Sequence, residues 1–241
     1  GRLLKKKMKA VKSQEHRFER EKEDMTQAPD MEKAIFVKIT PETRIPNGKI
    51  VLDYTQETLS AGGRVLASHI SLRIVGPEKI CIVGRNGAGK TTLLKQIAAL
   101  LLSRPDLKAA YMPQDYEELL NMDQNPVEFL SAKGDKAEQT MIRTYLGSMR
   151  YTADEMSHCI RELSGGQKAK LLFLKMSLDG CNVLILDEPT RNFSPLSGPV
   201  IRQVLKSFDG AIISISHDRK YIGEAVSAVY ELTENGLYRR V

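Results

Sequence analysis

Eight residues, Gly84-Arg85-Asn86-Gly87-Ala88-Gly89-Lys90-Thr91, restrict the folds open to this chain more than any other stretch. They fit the pattern GxxxxGK[ST], which works only between a strand that feeds the loop and a helix that leaves it. Both are legible. Residues 80–83 form an apolar run of strand length, and residues 89–102 read as a helix. Glycine at the loop positions lets backbone N–H groups turn inward around phosphates. Lys90 adds a cation, the helix N-terminus adds its dipole, and the Thr91 hydroxyl is placed to ligate Mg²⁺. These eight residues, with Thr92 after them, are the candidate phosphate-binding set.

A second constraint lies downstream. Residues 183–186 are apolar throughout and run into Asp187 and Glu188. An apolar strand followed by two acids is common, but beside a phosphate loop it supplies what that loop lacks. Asp187 can hold the metal shell, and Glu188 can orient or deprotonate an attacking water. Further strands are expected at residues 35–39, 49–54, 65–75, 109–112 and 211–216, and further helices at 165–177 and 199–208. Between residues 115 and 162 the pattern turns helical, with Asn125-Pro126-Val127-Glu128 as a capped helix start and Asp135 with Glu138 repeating the arrangement. Strand and helix otherwise alternate, which implies an α/β fold with a mainly parallel sheet covered on both faces, an antiparallel β portion and a helical subdomain.

Three further segments carry a family resemblance: Leu163-Ser164-Gly165-Gly166-Gln167, Gln114 within Tyr111-Met112-Pro113-Gln114, and His217 within Ser216-His217-Asp218-Arg219. In this order with the phosphate loop and the acidic strand, they resemble the signature, Q-loop and switch histidine of ATP-binding cassette proteins. The resemblance runs from about residue 49 to the end. It implies that ATP is bound between the loop of one cassette and the Ser164, Gly165, Gly166 and Gln167 segment of another. Gln114 would sense Mg²⁺ and the attacking water, with Thr91 and Asp187 as the other metal-side residues. Glu188, His217 and Gln114 would be the catalytic set. Residues 166–170, 207–210 and 216–221 further resemble the ABC-F group, whose members carry two cassettes and act on ribosomes. Two positions depart from that pattern. Ser194 stands where an Asp is usual, and Ala61 stands where an adenine-stacking aromatic is usual, leaving base recognition to Tyr54 or to nothing specific.

Charge is unevenly distributed. The net +6 of the chain is carried by Arg2, Lys5, Lys6, Lys7, Lys9 and Lys12, with no acid among the first twelve residues. Residues 2–25 read as a charged helix with Leu4, Met8, Val11, Phe18 and Met25 on a rough heptad stripe, and Pro29 ends it. The resemblance makes residues 1–30 a linker helix and residues 31–241 the cassette. The basic run suits an RNA phosphate backbone, and equally a solvated helix face. Residues 115–162 hold ten acids against five bases, a net of −5, which argues against nucleic acid there. No apolar run approaches the roughly 20 residues of a membrane helix. Three cysteines without a CxxC pair suggest reduced thiols and a cytoplasmic setting. The expectation is therefore an Mg-ATP-hydrolysing cassette, the second half of a ribosome-acting protein. The alternative is the ATPase subunit of a membrane transporter, or a degenerate cassette that only clamps ATP.

Overall fold

A computed structural model describes residues 39–193 and 197–240. The basic segment at 1–30, Ser194, and the strand expected at 35–39 apart from Ile39 lie outside the described residues. All described residues belong to one compact unit, Ala34–Val241.

The chain enters through an antiparallel hairpin, β1 (Ile50–Ala61) and β2 (Arg64–Val75). Gly62 and Gly63 form the turn, both at positive φ (58° and 76°), the backbone twist that two-residue hairpin loops require. The sequence reading ends the first strand at Tyr54. It misses the run 55–61 because the polar stretch Thr55-Gln56-Glu57-Thr58 hides the alternation that Leu59 resumes.

A six-stranded sheet follows in the order β4-β5-β6-β3-β7-β8. Its strands are β3 (Lys79–Val83), β4 (Ala109–Met112), β5 (Val183–Asp187), β6 (Ala211–Ile215), β7 (Ala228–Thr233) and β8 (Gly236–Arg240). The first five in spatial order are parallel and β8 is antiparallel. Strand β5 is buried at all five positions, and alternate residues feed opposite cores. Val183 and Ile185 pack with helix α1 (Lys90–Leu102), while Leu184 and Leu186 pack with the helical lobe. That double burial is why the strand is apolar without interruption.

The lobe carries helices α2 (Pro126–Leu130), α3 (Lys136–Ser148) and α4 (Gly165–Leu178). Asn125 and Glu128 close a reciprocal capping box on α2. On α3 the expected repeat is only half made. Asp135 caps Glu138 N, but the Glu138 carboxylate turns back to the amides of Ala132, Lys133 and Gly134 and the hydroxyl of Ser131. Helices α5 (Gly198–Ser207) and α6 (Arg219–Ala225) flank β6. Because β3, β4, β5 and β6 run parallel, the loops after all four emerge on one edge of the sheet. In open α/β sheets the ligand crevice lies there, at the carboxyl ends of the strands.

Candidate functional site

Four loops meet at that edge. After β3 the chain turns through Gly84 (φ 147°) and Gly89 (φ 94°) into α1. A Cβ on Gly84 would sit 2.6 Å from the Leu232 carbonyl oxygen, so the turn demands glycine for space as well as for conformation. Helix α1 has no side-chain cap, so its first-turn N–H groups lack the side-chain acceptor that an N-cap residue would supply. Lys90 is nearly buried and donates to the carbonyls of Gly84 and Arg85, 2.9 Å each. A buried ammonium whose hydrogen-bond partners are neutral carbonyls favours an anion beside it.

From β5 come Asp187, 1% exposed, and Glu188. Burial raises the Asp187 pKa, opposed by its hydrogen bond with Thr91 and then by the Lys90 charge. Its Oδ2 has no hydrogen-bond partner. Glu188 holds a left-handed backbone (φ 53°), unusual for a side chain of its size and an arrangement that costs energy. The strain aims its carboxylate across to the end of β6. Oε2 accepts from Ser216 Oγ at 3.4 Å and from His217 N at 3.3 Å, and Oε1 lies 3.7 Å from His217 Nε2. The acid and the histidine are thus held as a pair.

These groups line one cavity of about 660 Å³. Asn86, Gly87, Gly89, Lys90, Thr91 and Thr92 form one wall, and Gln114, Asp187, Glu188 and His217 face them. Arg85 and Ala88 line an adjoining cavity that shares Asn86 and Gly87 with the first, and Gly84 contributes the carbonyl that receives Lys90.

A sequence profile for the ABC transporter family matches residues 67–191, more than half of the chain. The chain belongs to this family.

Relatives of the cassette extend the likeness over most of its length. It is 30% identical over 209 residues to ABC transporter F family member 5 of Arabidopsis thaliana, covering 83% of this chain and 30% of that protein. It is 31% identical over 212 residues to the probable ATP-binding cassette sub-family F member 3 homolog of Encephalitozoon cuniculi, covering 85% and 37%. The chain therefore spans only about a third of the length of these relatives. The fold is that of the ATP-binding cassette MJ0796, whose structure was solved as a dimer in a post-hydrolysis state with ADP and Pi. The TM-score is 0.62 at 18% identity, over 80% of this chain and 95% of that one. ABC cassettes are P-loop ATPases that bind ATP, and this chain is an ABC-F-like member of them.

In this cassette the signature segment lies away from the phosphate loop. Ser164, Gly165, Gly166 and Gln167 line neither cavity; they start α4. Ser164 Oγ accepts from Gln167 N at 3.3 Å, and Gln167 Oε1 accepts from Ser164 N at 2.9 Å. Gln167 Nε2 also donates to Glu155 at 2.6 Å. A turn links the two regions: Arg191 lines the cavity that holds Lys90 and Glu188, while Gly165 and Gly166 lie against Asn192.

Tyr54 does not serve as a base platform. It is buried on β1, its hydroxyl bonded to Gln96 of α1 at 2.7 Å and also to Gln56, and it lines neither cavity. The space beside the loop is bounded by Arg64, Val65 and Leu66 of the hairpin and by the β7–β8 turn, Thr233-Glu234-Asn235. Sequence reasoning misses Leu66, Arg191 and this turn. The Asn235-Gly236 pair, a common hairpin signal, was the available cue for the turn. Nothing local marks Leu66.

Mg²⁺ fits the residues present. Thr91, Gln114 and Asp187 share the cavity, and the partnerless Asp187 oxygen is a ready acceptor for a hard cation. No cluster of three or more His, Cys, Asp or Glu among the described residues could hold a metal alone. A bound ion would therefore complete its shell with phosphate oxygens and water, the usual habit of Mg²⁺.

Proposed function

We propose that this cassette binds and hydrolyses Mg-ATP as the second half of an ABC-F protein acting on the ribosome. The observation that carries the hydrolytic reading is the convergence of Lys90, Thr91, Asp187, Glu188 and His217 on one cavity. Lys90 and the α1 amides hold the phosphates, and Thr91 with Asp187 and Gln114 holds the metal side. Magnesium supplies charge neutralisation of the β- and γ-phosphates there. Glu188, fixed by Ser216 and the His217 amide, takes a proton from the attacking water, and the His217 imidazole contacts the γ-phosphate. A second cassette supplies the missing donors from its own signature, because Ser164 to Gln167 of this chain line neither cavity beside the loop.

The ribosomal reading rests on the ABC-F likeness and on the six cations of residues 2–12. In the full-length protein, changing Lys5, Lys6, Lys7 and Lys9 to Gln should flatten the salt dependence of ribosome co-sedimentation while leaving ATP binding intact. The wild-type log–log slope should approach about −4 to −5 if all six cations engage phosphates. Equal retention of both proteins across the salt series would make the segment a solvated face and favour a transporter subunit. The same reading puts the protein in the cytoplasm. Among the described residues, no helix is long and apolar enough to cross a membrane.

A further inference from the structure

Two buried side-chain polar atoms of the described residues have no hydrogen-bond partner: the Tyr111 hydroxyl and Asp187 Oδ2. A buried hydroxyl or carboxylate oxygen left unpaired is costly, and native proteins rarely leave such groups without a reason. Here the two are neighbours. In the parallel pair β4–β5, Tyr111 stands opposite Ile185, and Asp187 lies two residues farther along the same strand. The pleat period of two puts all three on one face, the face that α1 covers. Strand geometry separates the Tyr111 and Asp187 backbones by roughly 8 Å, which leaves the side-chain ends within reach of one bridging water.

Both residues line a cavity of about 450 Å³ together with Thr91, Lys95, Gln114 and Glu118. Glu118 is held by Lys95 Nζ, 3.1 Å from both its carboxylate oxygens, and makes no hydrogen bond with the tyrosine. Asp187 is bonded by Thr91 and keeps one oxygen free. Tyr111 thus lines a cavity that shares Thr91, Gln114 and Asp187 with the phosphate cavity, and its buried hydroxyl has one open acceptor nearby.

We infer that Tyr111 is a positioning residue for the magnesium site: its hydroxyl donates to a water in the metal's shell and thereby orients the free oxygen of Asp187. Tyr111 touches neither the phosphate nor the attacking water. The inference rests on the Mg-ATP reading above and extends it to a residue outside the loop, the acidic pair and the glutamine. Outer partners of metal ligands typically change metal affinity about 10- to 100-fold when removed.

Tyr111→Phe deletes the hydroxyl and keeps the ring. The test is Mg²⁺ titration of fluorescent ATP-analogue binding by the chain, with EDTA as the metal-free limit, and the same titration with Mn²⁺ followed by its electron-spin signal. The midpoint for both metals should rise about tenfold in the variant, while analogue affinity in EDTA stays at the wild-type value. Thermal unfolding in EDTA separates a packing effect, since losing an unpartnered buried hydroxyl leaves the unliganded Tm unchanged or raised. Wild-type binding that responds to Mg²⁺ and a variant midpoint equal to it would overturn the role of Tyr111 alone. Wild-type binding indifferent to Mg²⁺ would overturn the metal reading, and this inference with it. A midpoint shift accompanied by a lower unliganded Tm would also overturn it, as a defect of packing.

Discussion

Helices α1 and α4 both start beside glycines, Gly89 before the one and Gly165 and Gly166 in the other, yet they are finished in opposite ways. At α1 the N-cap is Gly89 and no side chain caps the first turn. At α4 Ser164 and Gln167 form a reciprocal box. A helix start leaves four N–H groups without partners inside the helix, and something outside it must take them up. At the α4 start the box takes up two of them, Ser164 N and Gln167 N. The α1 start, with a near-buried lysine beside it, is built around a ligand and is under-satisfied without one. One chain thus carries an anion site that needs filling and a second helix end that its own side chains cap in part. The two lie apart, joined by the turn from Glu188 to Asn192.

The largest expected effect tests the under-satisfied end. Lys90→Ala should weaken ATP binding by about 100-fold or more, since it removes a desolvated cation from a charge-assisted contact. The unliganded variant should melt a little lower than wild type, because Asp187 loses the nearby positive charge that offsets its burial. Equilibrium binding and thermal melts check both. A variant that binds normally would remove α1 from its special position in the comparison.

Next in size is Glu188. Glu188→Gln keeps the shape and the neighbours but removes the carboxylate that accepts the proton, so turnover should fall by about 10²-fold with ATP affinity nearly unchanged. Glu188→Gly should be equally inactive yet more stable than Glu188→Ala by up to about 1 kcal/mol, because both lose the carboxylate contacts and only glycine is at ease in the left-handed backbone. A Gly variant no more stable than the Ala variant would show that the strain at φ 53° is not stored there.

At the satisfied end, Ser164→Ala should cost about 1 kcal/mol of stability and leave ATP binding to this chain untouched. A drop in binding to the chain would put Ser164 at its own phosphate loop. The smallest effect lies in the helical lobe. Hydrogen bonds from Ser131 and the amides of residues 132–134 hold the Glu138 pKa down from 4.5 to about 2. A carboxylate with a depressed folded value contributes stability above its ordinary range and loses it as pH falls through the folded value. The Tm gap between wild type and Glu138→Gln should be full at neutral pH and close as pH falls from 4.5 toward 2.

The same contrast explains what was legible in the sequence. The open end is spelled by residues whose chemistry is local: Gly84, Gly89, Lys90 and Thr91 in one loop, Asp187 and Glu188 after one apolar strand. The Asn125 box is equally local and is found as expected. What escapes depends on distant neighbours. Glu138 looks like the second half of a capping box, but the preceding loop, not Asp135 N, receives it. Tyr54 reads as a free aromatic near the hairpin, yet Gln96 of α1 claims its hydroxyl. Tyr111 stands out in the sequence only as a neighbour of Gln114, and strand register is what brings it near Asp187. Strands β7 and β8 are half-exposed, so their alternation is faint.

The central claim is that this chain's phosphate loop and its signature segment serve different nucleotides. ATPase rate per chain, measured over a wide range of protein concentration for wild type and Ser164→Arg, tests it directly. The account predicts slow turnover at low concentration, a rise in rate per chain as cassettes meet, and loss of that rise in Ser164→Arg with ATP affinity unchanged. A brisk rate per chain, independent of concentration and equal in the two proteins, would contradict it.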